Sequence, residues 1–249
     1  MNLLSDLESG VILPVYKPLH WTSFDVVKKI KGMTRKTIPK FKIGHAGTLD
    51  PLAEGLLIIC TQKMTKQVDA IHALPKTYIA TIFLGAERPS YDKETEVSAT
   101  FPIDHLSETL VMETLASFLG KQEQIPPVYS AVKLGGKPAY LKARKGVDVE
   151  IKAKEVEIYE LNVLEYALPL LKIEVTASKG TYIRTLAYDI GKKLNTGAYL
   201  DHLIRSKIGD YSIDQSIDMD TIHSSLATYW LEMKIYRELP QLSESIITI

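Results

Sequence analysis

The chain predicts an α+β fold, a mixed sheet with flanking helices, and three observations carry that prediction. Leu56-Leu57-Ile58-Ile59-Cys60 is an unbroken apolar run of strand length, the pattern of a strand buried on both faces. Lys76–Leu84 (KTYIATIFL) is β-branched and aromatic on both faces, which suits a central strand. Segments with helical spacing interleave with these strands without a strict strand–helix–strand rhythm, so helices are expected against a mixed sheet rather than between parallel strands.

Taken in order, Val11–Val15 reads as a short apolar strand ending at Tyr16-Lys17-Pro18. Thr22 or Ser23 then caps a helix with Asp25 in its first turn and Phe24, Val27 and Ile30 at helical spacing. Met64, Val68 and Ile71 predict a helix over 63–74, and Gly85–Glu96 is a polar loop carrying Tyr91-Asp92. Ser107 caps a helix whose Val111, Leu115 and Phe118 share a face, with Gly120 closing it. The stretch from Gln122 to Val149 holds Pro126-Pro127, Gly135-Gly136 and Gly146 around a short helix over 139–145. A segment so long and so punctuated is usually a functional loop. Val156–Ala177 reads as two strands joined near Tyr166–Pro169. Ser178-Lys179-Gly180-Thr181 opens a helix striped by Ile183, Leu186, Ala187, Ile190 and Leu194, with Tyr182 and Arg184 in its first turn. Gly197–Ile213 is a mixed segment, and Met219–Leu239 reads as a terminal helix.

Bulk properties exclude several classes. At 249 residues, 45% hydrophobic and 24% charged, the chain has the composition of an ordinary globular protein. It holds no run of about 18 apolar residues, so no membrane span is expected. The N-terminal residues carry Asp6 and Glu8 in place of a basic region and apolar core, so no signal peptide is expected. The single Cys60 excludes an intrachain disulfide and a cysteine-rich metal site. A cytoplasmic protein is the expectation.

The net charge of zero hides segregation. Between Val26 and His45 stand Lys28, Lys29, Lys31, Arg35, Lys36, Lys40 and Lys42 without one acid. Lys133, Lys137, Lys142, Arg144, Lys145, Lys152 and Lys154 face only Asp148 and Glu150, while acids outnumber bases after Asp214. Such segregation suggests a polyanion-binding face; two solvated surface segments would read the same way. The first basic segment adjoins Gly44-His45-Ala46-Gly47-Thr48-Leu49-Asp50-Pro51-Leu52-Ala53-Glu54-Gly55. Small residues before an acid and a rigid strand after it describe a loop that fixes one carboxylate and lets another backbone approach. A tight turn whose Asp bonds its own backbone fits equally.

Four stretches, GHAGTLDPLAEGLL, KTYIATIFLG, IPPVYSAVKLGGKPAYLKARKG and SKGTYIRTLAYDIG, together resemble the TruB-type tRNA pseudouridine synthases over about Val11–Tyr211. The resemblance implies the pseudouridine synthase fold, with a mainly antiparallel central sheet and an inserted RNA-gripping thumb over about 122–152. It implies a catalytic domain over 1–213. Members of the family commonly carry a C-terminal PUA domain after it; here a short helical tail over 214–249 follows, and no PUA domain is expected. The reaction implied is isomerisation of the uridine at position 55 in the T-arm loop of tRNA, without metal or cofactor. By motif match Asp50 is the catalytic carboxylate, Arg184 the cation paired with it, and Tyr78 the tyrosine stacked on the target base. His45 packs beside the flipped nucleotide, Tyr182 and Leu203 line the uracil pocket, and Tyr129 belongs to the lobe that closes over the T-arm. Asp92 is an acid near the cleft, and Lys17 a phosphate or structural contact. The partner implied is the tRNA T-arm; a monomer without an obligatory protein partner is expected.

Two other classes fit parts of the chain. A tRNA-folding chaperone would keep the basic face and His45 without needing Asp50. A hydrolase using His45 and Asp50 as an acid–base pair would leave both basic segments unexplained and lacks an activated nucleophile.

Overall fold

The computed structural model describes residues 3–129, 133–134, 137–138 and 151–228. The chain forms two compact units, Met1–His72 with Tyr211–Ile249, and Ala73–Asp210. The described residues from Tyr211 onward group with the N-terminal segment. The expected helix over 139–145 and most of the expected thumb lie outside the described residues.

The first unit opens with α1 (Leu3–Ser9), β1 (Ile12–Lys17) and α2 (Ser23–Thr34). A full capping box starts α2: the Thr22 hydroxyl accepts from the Asp25 N–H while the Asp25 carboxylate accepts from the Thr22 N–H. Thr22, not Ser23, is therefore the cap. β2 (Ile43–Ala46) and β3 (Ala53–Thr61) follow. β1 and β2 both pair antiparallel with β3, in registers Val15↔Leu57 and His45↔Ile59. The apolar run is thus the middle strand of three, and Leu56 through Cys60 have no exposed surface. A 3-10 turn, Gln62–Gln67, leads into α3 (Val68–Ala73), so the expected helix over 63–74 begins as the tighter form. The chain is helical again over 219–228. Its Met219, Ile222 and Leu226 join Leu4, Leu7, Val26, Ile30, Leu57 and Ile59 in one core.

The second unit is built on five main strands: β4 (Lys76–Leu84), β7 (Gly120–Gln124), β10 (Lys154–Ala167), β11 (Leu170–Ala177) and β12 (Ala198–Ile208). They lie in the order β12-β4-β11-β10-β7. β4 sits between β11 and β12, as its two apolar faces require, and these ladders are antiparallel. Among the described residues, short ribbons β5–β6 (Ala86–Glu87 with Ala99–Thr100) and β8–β9 (Lys133–Leu134 with Lys137–Pro138) add to these strands. Parallel bridges occur at Val15–Ile217 and Asp92–Leu200, so the strand pairing is mixed but mainly antiparallel. α4 (Glu108–Ala116) is capped by the Ser107 hydroxyl, as expected. α5 (Ile183–Lys193) buries the expected stripe against β12. At Gly191 an added Cβ would lie 2.3 Å from the Ala198 nitrogen, so only glycine permits this approach. Among the described residues no helix is long and apolar enough to cross a membrane.

Candidate active site

In the first unit the β2–β3 connection carries Asp50, and its backbone is fixed on both sides. Gly47 takes φ +91°, a conformation open to glycine at little cost. The Leu49 N–H donates to the Ser23 hydroxyl at 2.8 Å, and Ser23 Oγ lies 3.1 Å from the Leu49 carbonyl. After the acid, the Ala53 N–H donates to the Asp50 carbonyl (3.1 Å) and the His20 N–H to the Pro51 carbonyl (2.8 Å). Asp50 is half-buried. His45, half-buried on β2, brings Nε2 to 3.1 Å from Thr48 Oγ1 within the same bend. At the loop's exit the Tyr16 hydroxyl bonds Glu54, and burial together with that carboxylate pushes Tyr16 up to about 12.

Lys17 has no exposed surface, and its ammonium donates to the carbonyls of Pro18 (2.9 Å) and Trp21 (2.6 Å). Of its two expected roles, that geometry supports the structural one. A buried amine holding the turn before α2 has no face for a phosphate.

In the second unit three of the expected residues meet. Arg184 lies in the first turn of α5 and is buried, with Nη1 donating to the Tyr129 carbonyl at 3.0 Å and standing 3.4 Å from Asp92 Oδ2. The other Asp92 oxygen accepts the Glu94 N–H at 2.9 Å. Asp92 is itself placed by a bridge to Leu200 on β12 and by the Leu200 N–H donating to the Tyr91 carbonyl. Tyr182, the N-cap of α5, is held by Gln124, a residue with no signal in the sequence. Gln124 Oε1 accepts the Tyr182 N–H (2.7 Å), while its Nε2 donates to the Tyr182 carbonyl (3.1 Å).

Tyr78 and Leu203 form a second grouping on the β4–β12 ladder. Tyr78 stands opposite Arg205 and Leu203 opposite Ala80, so Tyr78, Leu203 and Arg205 project from one sheet face. Tyr78 is half-buried, and Arg205 is 1% exposed. Beside them Lys76 is pushed down to about 8 by burial, with the Arg205 and Lys179 charges adding to the effect. Arg205 was not among the expected site residues, although a cation inside Leu203-Ile204-Arg205 is the signal that could have found it. Among the described residues, no cluster of three or more His, Cys, Asp or Glu is placed to hold a metal ion.

Residues 33–183 match the family model described as TruB family pseudouridylate synthase (N terminal domain). The chain is 49% identical over 236 residues to the tRNA pseudouridine synthase B of Phocaeicola vulgatus, covering 94% of this chain and 98% of that one. It is 47% identical over 220 residues to the enzyme of that name from Flavobacterium johnsoniae, covering 87% and 96%. Among solved structures it is similar to a chain of a Cbf5–Nop10–Gar1 complex, with TM-score 0.66 and 27% identity over 87% of this chain. It is also similar in fold to a chain of an H/ACA RNP bound to a substrate RNA containing 2'-deoxyuridine, with TM-score 0.66 and 23% identity over 94% of this chain. It spans 54% and 57% of those two chains, a little over half their length.

Proposed function

This chain belongs to the TruB family of pseudouridylate synthases, and from that premise we propose that it isomerises the T-arm uridine at position 55 of tRNA to pseudouridine. The reaction breaks the C1′–N1 glycosidic bond, forms a C1′–C5 bond, removes the C5 proton and returns a proton to N1. Atoms and electrons balance without an oxidant or reductant. The protein must release the base, hold the ribose while the base turns, and move one proton. A carboxylate can serve the first step as nucleophile or base, and that role falls to Asp50.

Arg184 is assigned as the cation that complements the Asp50 charge, with Asp92 and the Tyr129 carbonyl holding its guanidinium. Tyr78 stacks on the uracil and handles the C5 proton, while Tyr182 and Leu203 line the pocket. His45 fills the space left by the flipped nucleotide, which leaves its stack at a cost of a few kcal/mol. Lys17 anchors the turn that leads into α2. The enzyme works in the cytoplasm as a monomer without an obligatory protein partner.

The observation that carries this reading is the Asp50 loop, with a half-buried acid on a backbone pinned by Ser23 and His20. An unmodified tRNA transcript incubated with wild type and with Asp50→Asn, then mapped by carbodiimide-stop primer extension, tests it. A stop at position 55 with wild type and none with the variant is expected. No stop with wild type removes the isomerase reading, and equal stops remove Asp50 from the chemistry.

A further inference from the structure

We propose that the outer face of α2 is a second RNA subsite, where the tRNA phosphate backbone crosses the helix at Gly32. This rests on the tRNA reading above and concerns surface outside the reacting residues. Two grooves meet on this face. One, of about 620 Å³, is lined by His20, Trp21, Asp25, Lys28, Lys29, Gly32 and Met33. The other, of about 520 Å³, is lined by Gly32, Met33, Arg35 and Lys36.

Gly32 is common to both, and nothing among the described residues accounts for it. It is an exposed residue inside a helix, where glycine is less favourable than alanine. It has no positive φ, and a Cβ built on it meets no atom of the described residues within 4 Å. Neither backbone conformation nor packing among the described residues therefore demands a glycine. The remaining physical use of a missing side chain is close approach by something from outside.

The surroundings say what approaches. Lys28, Lys29, Lys31, Arg35, Lys36, Lys40 and Lys42 are all exposed, the footprint of a polyanion. Among the described residues Asp25 is the one acid in the lining, and its carboxylate is engaged by the Thr22 N–H and hydroxyl. Half-buried Trp21 offers an aromatic wall on which a nucleobase can stack. The groove is also tied to the Asp50 loop. Lys17 holds the Trp21 carbonyl, the His20 N–H holds Pro51, and Ser23 holds Leu49. RNA lodged on α2 is thereby placed in register with the carboxylate that acts on it.

The test is filter binding of an unmodified tRNA transcript at several salt concentrations, with thermal melts of each protein. Gly32→Ala is expected to raise Tm by roughly 2 °C, because the helix gains propensity, and to weaken tRNA binding at least about threefold. The double variant Lys28→Ala/Lys29→Ala is expected to weaken binding by about tenfold at moderate salt. It should also flatten the slope of log affinity against log salt by about one for each phosphate left without its cation. A lowered Tm for Gly32→Ala would make the glycine structural and overturn the proposal. Unchanged affinity in that variant, or an unchanged salt slope in the lysine pair, would also overturn it. These are binding readouts. Wild type that binds but forms no pseudouridine would sink the isomerase reading and leave this one standing.

Discussion

Arg184 and Asp92 form an ion pair almost wholly removed from water, with Nη1 3.4 Å from Oδ2 and side chains 6% and 7% exposed. Burying two charges is costly unless each is also hydrogen-bonded. Here Asp92 takes the Glu94 N–H and Arg184 the Tyr129 carbonyl. The pair therefore fixes where a guanidinium points, at some expense to stability. Asp92→Asn keeps the shape and removes the charge, so we expect a loss of about 3 kcal/mol in urea unfolding and reduced pseudouridine formation. A double-mutant cycle with Arg184→Leu should give a coupling of about 1 kcal/mol or more. Additive effects would mean that the two side chains act independently.

Lys17 is expected to matter through the fold. Lys17→Met keeps the buried aliphatic stem but removes the donor to the Pro18 and Trp21 carbonyls. Each half-buried acceptor so stranded costs about 1–3 kcal/mol at most, and the turn bonded to Pro51 loosens with it. Stability should fall. The salt slope of tRNA binding should not move, since the buried ammonium neutralises no phosphate. A flattened slope would instead make Lys17 a phosphate ligand.

Gln124 clamps both backbone groups of Tyr182 at the start of α5. Gln124→Ala leaves a half-buried N–H without its acceptor, for a loss of about 1–2 kcal/mol. It also frees the residue proposed to line the uracil pocket. In single-turnover assays we expect a slower rate at saturating tRNA. A stability loss with an unchanged rate would make Gln124 purely structural.

What the sequence made legible follows from how each residue is held in the fold. β3 and β4 were readable because a strand buried on both faces must be apolar throughout, and α5 because its buried stripe keeps helical spacing. β12 was not, since register shifts between Leu200 and His202 and between Arg205 and Lys207 break the two-residue alternation. β7 (GKQEQ) is polar and pairs with β10 at the end of the sheet order, so it carries no apolar signal. The Asp50 bend announced itself through its glycines. The burial of Lys17 and Arg205 did not, because long cations are almost always solvated and only tertiary partners reveal the exceptions.

Asp189 sets a pH dependence of stability. Burial raises its carboxyl from 3.8 to about 6, against an opposing effect of Lys192. The folded protein therefore holds this proton more tightly than the unfolded chain. Below the unfolded value both states are protonated and no penalty exists. As pH rises through about 4 to 6 the penalty grows, and above 6 it is fully present. Asp189→Asn should raise Tm at pH 7–8 and leave it unchanged below pH 4. A gain that persists at pH 3.5 would assign the effect to something other than this ionisation.

Cys60 offers a built-in probe of how β3 opens. It has no exposed surface, lies between β1 and β2, and burial pushes its thiol up to about 11. Reaction with a disulfide reagent at pH 8 then requires the strand to separate from its neighbours, since the thiolate is the nucleophile and neither reagent nor base reaches it otherwise. Labelling should be slow in native buffer and immediate in denaturant. Because β3 is the middle strand of its unit, the opening free energy from labelling should equal that from urea unfolding within about 1 kcal/mol. A much smaller labelling value would mean that β3 opens locally, and the Asp50 bend at its start would then be a mobile platform for the carboxylate.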